Sequence, residues 1–427
     1  MEAYAQALMY AIPIFIFFIC IEAIVDQVKK KGRLNAFDTI SSLSSGLTNI
    51  VKDSLGLVIV IVSYPFLLEY LAIIEIQETW LVYVVAFVAL DFAGYWNHRL
   101  AHSINYFWNR HLVHHSSEEF NLPCALRQSI SELFGIYTLF LIPAAIFGIP
   151  EKVIAIIAPI QLFLQFWYHT QYIPKLGFLE YIIITPSQHR VHHAINPIYL
   201  DKNLGQIFCI WDRLFGTFQE ELEEVPPVYG ITRPVHTWNP IKINFQHLFL
   251  LISDAWRAKN WADKLKIWFM PVGWRPTDVA EKYPIHKPED IYQIKKYNTN
   301  PSKFLIVWSW FQLIFVLFLL LFMLHQFGAI GFPNLFIYGG MLMAGIYGFT
   351  ALMDKDKMGL WIETARSLVG IGIILITGDW FGFGNLFPGA EYFILIYFIA
   401  SFLGAVYAYR EAHAQLATAT QHPIINN

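Results

Sequence analysis

The sequence predicts an all-α, polytopic integral membrane protein of about nine spans, with a histidine-rich cap on its cytoplasmic side. Three observations lead there: scarce charge with high hydropathy, a series of apolar windows of membrane-crossing length, and histidines grouped at helical spacing. Of the 427 residues, 56% are hydrophobic and 14% charged, well below the roughly 25% charged residues of a soluble domain. Mean hydropathy is +0.45. A net charge of −3 without a Lys/Arg stripe excludes nucleic acid as an expected partner. Cys20, Cys124 and Cys209 each stand alone, so they form no zinc motif or disulfide framework and read as small buried hydrophobes.

A bilayer core about 30 Å thick takes roughly 20 mostly apolar residues per helix. On that criterion the windows fall near 7–25, 54–74, 80–97, 133–149, 152–172, 304–325, 334–353, 359–378 and 391–409. The fourth and fifth are short enough to form one re-entrant hairpin instead. The first window follows no basic stretch and runs through Cys20 with no A-x-A-like site, so it is read as a span rather than a cleaved signal. Lys29, Lys30, Lys31, Arg33 and Lys52 follow it, residues 73–79 contain no Lys or Arg, and segment 173–303 has many. Lys355, Lys357 and Arg410 continue the alternation. The N-terminus is therefore expected outside and every histidine cluster on the cytoplasmic face, of a bacterial inner membrane or the endoplasmic reticulum.

Four regions follow: N-terminal spans over 1–79, a histidine-rich region over 80–220, a cytoplasmic or interfacial segment over 221–302, and a four-helix membrane block over 303–427. Within the third, 237–276 mixes Trp, Phe and Lys/Arg in the manner of helices lying in the membrane interface, or of a soluble cap over the site.

His98 and His102 are spaced i, i+4 at the end of the third window. His111, His114 and His115 follow in NRHLVHHSSEEFN; His189, His192 and His193 lie in SQHRVHHAINP; His169 stands apart in QFWYHTQY. Positions i, i+3 and i+4 share a helical face about 5–6 Å apart, so each cluster presents its imidazoles together. A lone buried histidine is ordinarily a satisfied core residue, but three clusters at ligand spacing on one side of a membrane are not explained that way. Neutral imidazole ligates iron, copper and zinc. One ion takes about four to six ligands, so nine histidines imply two ions. Without thiolates there is no iron–sulfur cluster. A structural zinc needs only four ligands, and no carboxylate accompanies the clusters as a two-histidine, one-carboxylate centre requires. The reading is a dinuclear non-haem iron centre that handles oxygen.

Ligating histidines give their other N–H to an oxygen. Asp91, two turns before His98 on one face, is a candidate acceptor, because a carboxylate within a span is expensive and usually functional. Glu118 after the second cluster, and Asn203 and Asp212 after the third, are further candidates. Glu118, Glu119 and Asn121 read equally well as a capped, solvated acidic turn. Arg99, Arg110, Arg127 and Arg190 flank the clusters and are read mostly as interface anchors. GIGIILITG over 370–378 lacks the G-x-G-x-x-G spacing and lies inside a window, which makes it helix packing.

With H-x3-H, H-x2-HH and H-x2-HH in order, then NPIYLDKNLGQIFCIWDRLFGTF over 196–218, the chain resembles the fatty acid hydroxylase/sterol desaturase superfamily of membrane di-iron enzymes across about residues 80–220. HSSEEFNLPCALRQS over 115–129 is most similar to its alkylglycerol monooxygenase branch, which cleaves glyceryl ether lipids. The resemblance implies two irons on the nine histidines, O2 as co-substrate, oxidation of the carbon next to the ether oxygen, and release of an aldehyde. It also implies tetrahydrobiopterin as the electron source. In that branch a Glu tied to pterin use follows the second histidine of the first box, and here that position is Ser103. The change leaves the iron ligands intact and weakens the pterin assignment. The alternative is an external donor protein, since no flavin or nicotinamide fingerprint is present.

Two enzyme readings compete, the other being a fatty acyl or sterol/carotenoid hydroxylase or desaturase of the same superfamily. A metal transporter would carry ligands through the midplane of several spans, not at one membrane edge. An inactive scaffold would tolerate broken histidine boxes, and here all three are intact.

Overall fold

A computed structural model describes residues 2–57, 59–60, 62–132, 134–285 and 287–421. The architecture rests on α1 (Glu2–Lys29), α2 (Ala36–Ser54), α3 (Trp80–Ser103), α4 (Asn105–His115), α5 (Glu151–Leu164), α6 (Pro186–His192), α7 (Pro240–Arg257), α8 (Lys303–His325), α9 (Asn334–Met353), α10 (Lys357–Thr377) and α11 (Ala390–Gln421). Six of these, α1, α3 and α8 to α11, are long and apolar enough to cross a bilayer, and they make the chain a multi-pass membrane protein.

The last four windows form α8 to α11, packed around Leu319, Leu320, Met323, Ile346 and Phe349. The charged pair inside this block is matched by partners. Arg366 donates to Glu363 at 2.7 Å and to Ser401 at 2.8 Å, and Ser401 accepts from Gln312. A charge within a span is tolerated in just such a paired, bundle-facing position.

Three windows come out differently. Among the described residues, window 54–74 holds the two-residue strand at 59–60 and the eight-residue helix Tyr64–Leu71, and 133–149 holds the short turns Tyr137–Leu141 and Ile142–Ile146. Window 152–172 gives α5, 14 residues long, about 21 Å at 1.5 Å per residue. That falls short of the roughly 30 Å hydrocarbon core. Pro65 and Pro143 open their short helices and Pro150 immediately precedes α5, positions where the missing amide would have no helical partner anyway, while α5 runs on through Pro159. These pieces pack along the first half of α3, with Val82, Ala86 and Leu90 against Tyr64, Ile149 and Val153. Their freed backbone groups are answered inside the protein. Tyr64 donates to the Ile149 carbonyl at 2.8 Å, the Ile73 amide to Ile146 at 3.0 Å, and Gln161 to Phe87 at 2.6 Å. Residues 59–60 pair in parallel with 134–135.

The loop expected after the first window contains α2. Asn35 caps it by accepting from the amides of Phe37 and Asp38 at 2.9 and 3.1 Å. Ser41, Ser42, Ser44 and Ser45 are buried on it together with Phe37, Ile40, Leu47 and Val51, and Gly46 lets the 122–126 turn approach closely. Between α3 and α4 a single extended residue, Ile104, makes a sharp elbow. Asn105 locks it by donating to the carbonyls of Ile267 and Trp274 at 3.0 and 3.1 Å and accepting from Gly273. The 237–276 segment leaves Phe249, Trp256, Trp261, Leu265 and Phe269 exposed, as an interface-lying helix would.

Candidate metal centre

The elbow turns α4 back beside the end of α3, which brings His111 and His115 opposite His98 and His102. The third cluster rides on α6, a helix opened by Thr185, whose side chain accepts from the Gln188 amide, and by Pro186 at its first position. The imidazoles gather in two groups. His98, His102, His111, His115 and His192 form one; His114, His169, His189 and His193 form the other. Within each group the ligand nitrogens lie within 4.8 Å of one another. Spacing alone suggested that each cluster points one way. In the structure, adjacent histidines part company: His114 and His115 serve different groups, and so do His192 and His193. Successive helical residues are turned by about 100°, which is what separates them.

The nitrogens face each other at ligand-like distances. Nε2 of His111 lies 2.8 Å from Nε2 of His98 and 3.0 Å from that of His115. In the second group the His169–His189, His193–His189, His193–His114 and His169–His114 separations are 2.8, 3.1, 3.1 and 3.2 Å. Ligands roughly 2.0–2.1 Å from a shared ion and at right angles would be about 3.0 Å apart. The tautomers agree. His98, His169 and His192 face the carbonyls of Leu204, Gln165 and Lys202 through Nδ1 at 2.8, 3.0 and 3.0 Å. A carbonyl cannot donate, so each Nδ1 carries the proton and each Nε2 presents a lone pair inward. Nε2 of His102 and of His192 is buried without a hydrogen-bond partner, the orphaned donor set that a cation satisfies. The residues fit a metal.

Burial sets the charge state. It holds the imidazoles of His111, His115, His169, His189, His192 and His193 well below their usual pKa, helped by neighbouring imidazoles, and brings His114 down to about 4. These rings are neutral at pH 7, the form that ligates.

One short segment orients the first group. Asp201 accepts from His102 Nδ1 at 3.0 Å, while the Lys202 and Leu204 carbonyls take His192 and His98. The acidic and amide candidates act one step back. Asp212 accepts from the amides of Leu204 and Gly205 at 2.6 and 2.9 Å and from the Thr217 hydroxyl at 2.6 Å. A Cβ on Gly205 would come within 2.8 Å of that carboxylate, so the turn closes only around glycine. Asn203, at φ 53°, donates to the carbonyls of Gln188 and Gln219. Asp91 makes no hydrogen bond to His98; it accepts from the amides of Ile207 and Phe208 and from the Trp211 indole at 2.7 Å. Glu118 accepts from the Tyr297 amide at 2.6 Å, tying the second cluster to the linker before α8. Glu119 pairs with Lys296 at 2.6 Å, and Asn121 caps the 122–126 turn.

The flanking arginines are internal ties rather than interface anchors. Arg127 is buried on Asp38 at 2.6 Å, Arg190 grips Glu221 with two bonds, Arg110 pairs with Glu132, and Arg99 donates to Tyr95. Each carboxylate partner is remote in sequence. Asp201 was the residue that sequence reasoning missed; the one signal it offered was its place in the DKNL run after the third box.

The fold and the site define a membrane protein whose histidines are arranged to hold metal. The fatty acid hydroxylase profile matches residues 83–217. Alkylglycerol monooxygenase of Homo sapiens is 39% identical over 271 residues, covering 62% of this chain and 59% of the human one. The Xenopus tropicalis alkylglycerol monooxygenase is 34% identical over 360 residues, covering 83% and 79%. That of Danio rerio is 36% identical over 269 residues, covering 62% and 59%. The chain belongs to the fatty acid hydroxylase family, and along much of its length it is similar to alkylglycerol monooxygenases. No solved structure matches it.

Proposed function

We propose that this chain is an oxygen-dependent, non-haem di-iron monooxygenase that hydroxylates the carbon next to the ether oxygen of an alkylglycerol and so releases an aldehyde. The observation that carries the reading is the pair of histidine groups, with facing nitrogens 2.8–3.2 Å apart. Similarity to alkylglycerol monooxygenases supports the choice of lipid. Two bound irons would supply oxygen activation: O2, two electrons from an external donor and two protons would place one oxygen atom in a C–H bond and release the other as water.

The chain's own residues do the rest. His98, His102, His111, His115 and His192 hold one ion, and His114, His169, His189 and His193 the other. The carbonyls of Leu204, Lys202 and Gln165 keep three lone pairs turned inward. Rings of Phe120, Tyr168 and Trp108 lie 5.2, 4.3 and 5.3 Å from His193, His189 and His102. They keep bulk water from the centre. The hydroxylated carbon is a hemiacetal. Its proton passes to the ether oxygen as the C–O bond breaks, leaving an aldehyde and a free glycerol hydroxyl.

Membranes given alkylglycerol, O2 and either tetrahydrobiopterin or a ferredoxin system are expected to form aldehyde. Ser103 is exposed and its hydroxyl bonds back to the Arg99 carbonyl at 2.7 Å. Ser103→Glu should tighten pterin binding about tenfold, the worth of a charge-assisted bond of about 1.5 kcal/mol. Hydroxylation of an acyl or isoprenoid lipid with no aldehyde from alkylglycerol would replace this reading.

We place the centre on the cytoplasmic face. The basic loop after α1 packs beside it, since Arg33 donates to the Gln171 carbonyl at 2.8 Å and its own carbonyl accepts from Asn121, residues next to His169 and the second cluster. On this reading the broken passages beside α3 also cross, giving nine crossings. Lys31→Cys and Gln77→Cys, both at exposed positions, should be labelled from opposite sides of sealed membranes. Labelling from one side would contradict the arrangement.

A further inference from the structure

A cleft of about 470 Å³ opens beside the first histidine group, within the roughly 300–1,000 Å³ of small-molecule sites. Trp108 stands between the two: it lines the cleft, and its ring lies 5.3 Å from that of His102 and 5.7 Å from that of His115. Trp274 and Leu251 contribute further wall. All the charged side chains lining the cleft are cationic: Arg233, Arg275 and Lys287.

Arg275 is already engaged. It grips Asp254 through Nε and Nη2 at 2.5 and 2.9 Å and donates Nη1 to the Tyr283 carbonyl. Arg233 and Lys287 make no hydrogen bond or ion pair among the described residues. His247, the remaining titratable wall residue, is neutral, pushed down to about 4 by burial and by Arg233. Burial and Arg275 also press on Arg233, lowering its pKa. Arg233 thus has no hydrogen-bond or ion-pair partner among the described residues, and the Asp254 carboxylate held by Arg275 acts on it only from further off. The exposed Lys287 adds a second unpaired cation to a half-enclosed space with indole walls that a dianion would fit. A guanidinium meets phosphate oxygens with paired donors, and an ammonium adds a point charge.

We propose that this cleft binds a phosphate group, with Arg233 as its principal receptor and Lys287 as the second. The phosphate is carried by a lipid headgroup or is a free anion. In the first case the cleft seats a phosphorylated ether lipid one indole away from the histidines; only that choice of lipid rests on the ether-cleavage reading.

The test is equilibrium binding to the purified, iron-loaded full chain in uncharged detergent, by titration calorimetry. The probes are an alkylglycerol, the same alkylglycerol bearing a terminal phosphate, and inorganic phosphate. The phosphorylated lipid should bind at least about tenfold tighter than the neutral one, a step of roughly 1.4 kcal/mol. Arg233→Gln should erase that preference, Arg233→Lys should keep most of it, and Lys287→Gln should lose part. Competition by inorganic phosphate at equal concentration assigns the site to a free anion; competition only at large excess assigns it to the lipid. Equal affinity for the two lipids, or a preference that survives Arg233→Gln, overturns the proposal. The two readings fail separately. Phosphate binding without cleavage of either lipid faults the ether-cleavage function, and cleavage without a phosphate preference faults the cleft.

Discussion

His115→Ala is expected to remove one of about two bound irons and to reduce aldehyde formation by more than about 100-fold, beyond the 10–100-fold typical of residues that merely brace a ligand. His193→Ala should do the same to the other group. The two rings stack with centroids 4.3 Å apart, yet each belongs to a different nitrogen set. Each variant should therefore keep about half of the iron by elemental analysis. A wild-type chain fully active with a single zinc would sink the di-iron reading.

Arg127→Ala should have the largest effect on stability. Its guanidinium donates to Asp38 at 2.6 Å, to Ser42 at 2.9 Å and to Ser116 at 2.8 Å, and both partners of the ion pair are almost fully buried. Truncation leaves the Asp38 carboxylate buried with only the Ser117 hydroxyl still donating to it. Removing one partner of a buried pair costs about 3–5 kcal/mol. Thermal unfolding in detergent checks the loss. Adding Asp38→Ala should recover part of it, because the stranded charge goes too. A single variant as stable as the wild type would show that this tie contributes nothing.

Much of the centre is legible in the sequence. Eight histidines at i, i+3 and i+4 can be grouped from spacing because the helical repeat is a local property, whereas His169 stands alone. Their division into two sets was not legible, since it depends on how α3, α4 and α6 are angled against one another. The same holds for the bracing groups. Asp91 and Glu118 stood out as carboxylates near the boxes, but hydrogen bonds are fixed by loops folding back over a hundred residues, and those loops put Asp91 on Trp211 and Glu118 on Tyr297. The last four windows read cleanly because uninterrupted aliphatic runs leave a helix no competitor. The windows whose helices start late, at Pro65, Pro143 and Pro150, look continuous to hydropathy, which counts composition and ignores where a proline sets a helix start. Serine-rich α2 escapes such a scan, since its buried hydroxyls lower the hydropathy although Ile40, Leu47 and Val51 are buried with them.

The paired histidines at 114–115 and 192–193 act as a caliper. Two sites held by neighbouring residues are linked by one peptide unit, about 3.8 Å between Cα atoms, and this happens twice, on two separate helices. Two peptide units therefore tether the two nitrogen sets in addition to the packing of the helices. If both sets load as proposed, a substitution that loosens the surrounding helices should lower occupancy of both together rather than of one alone.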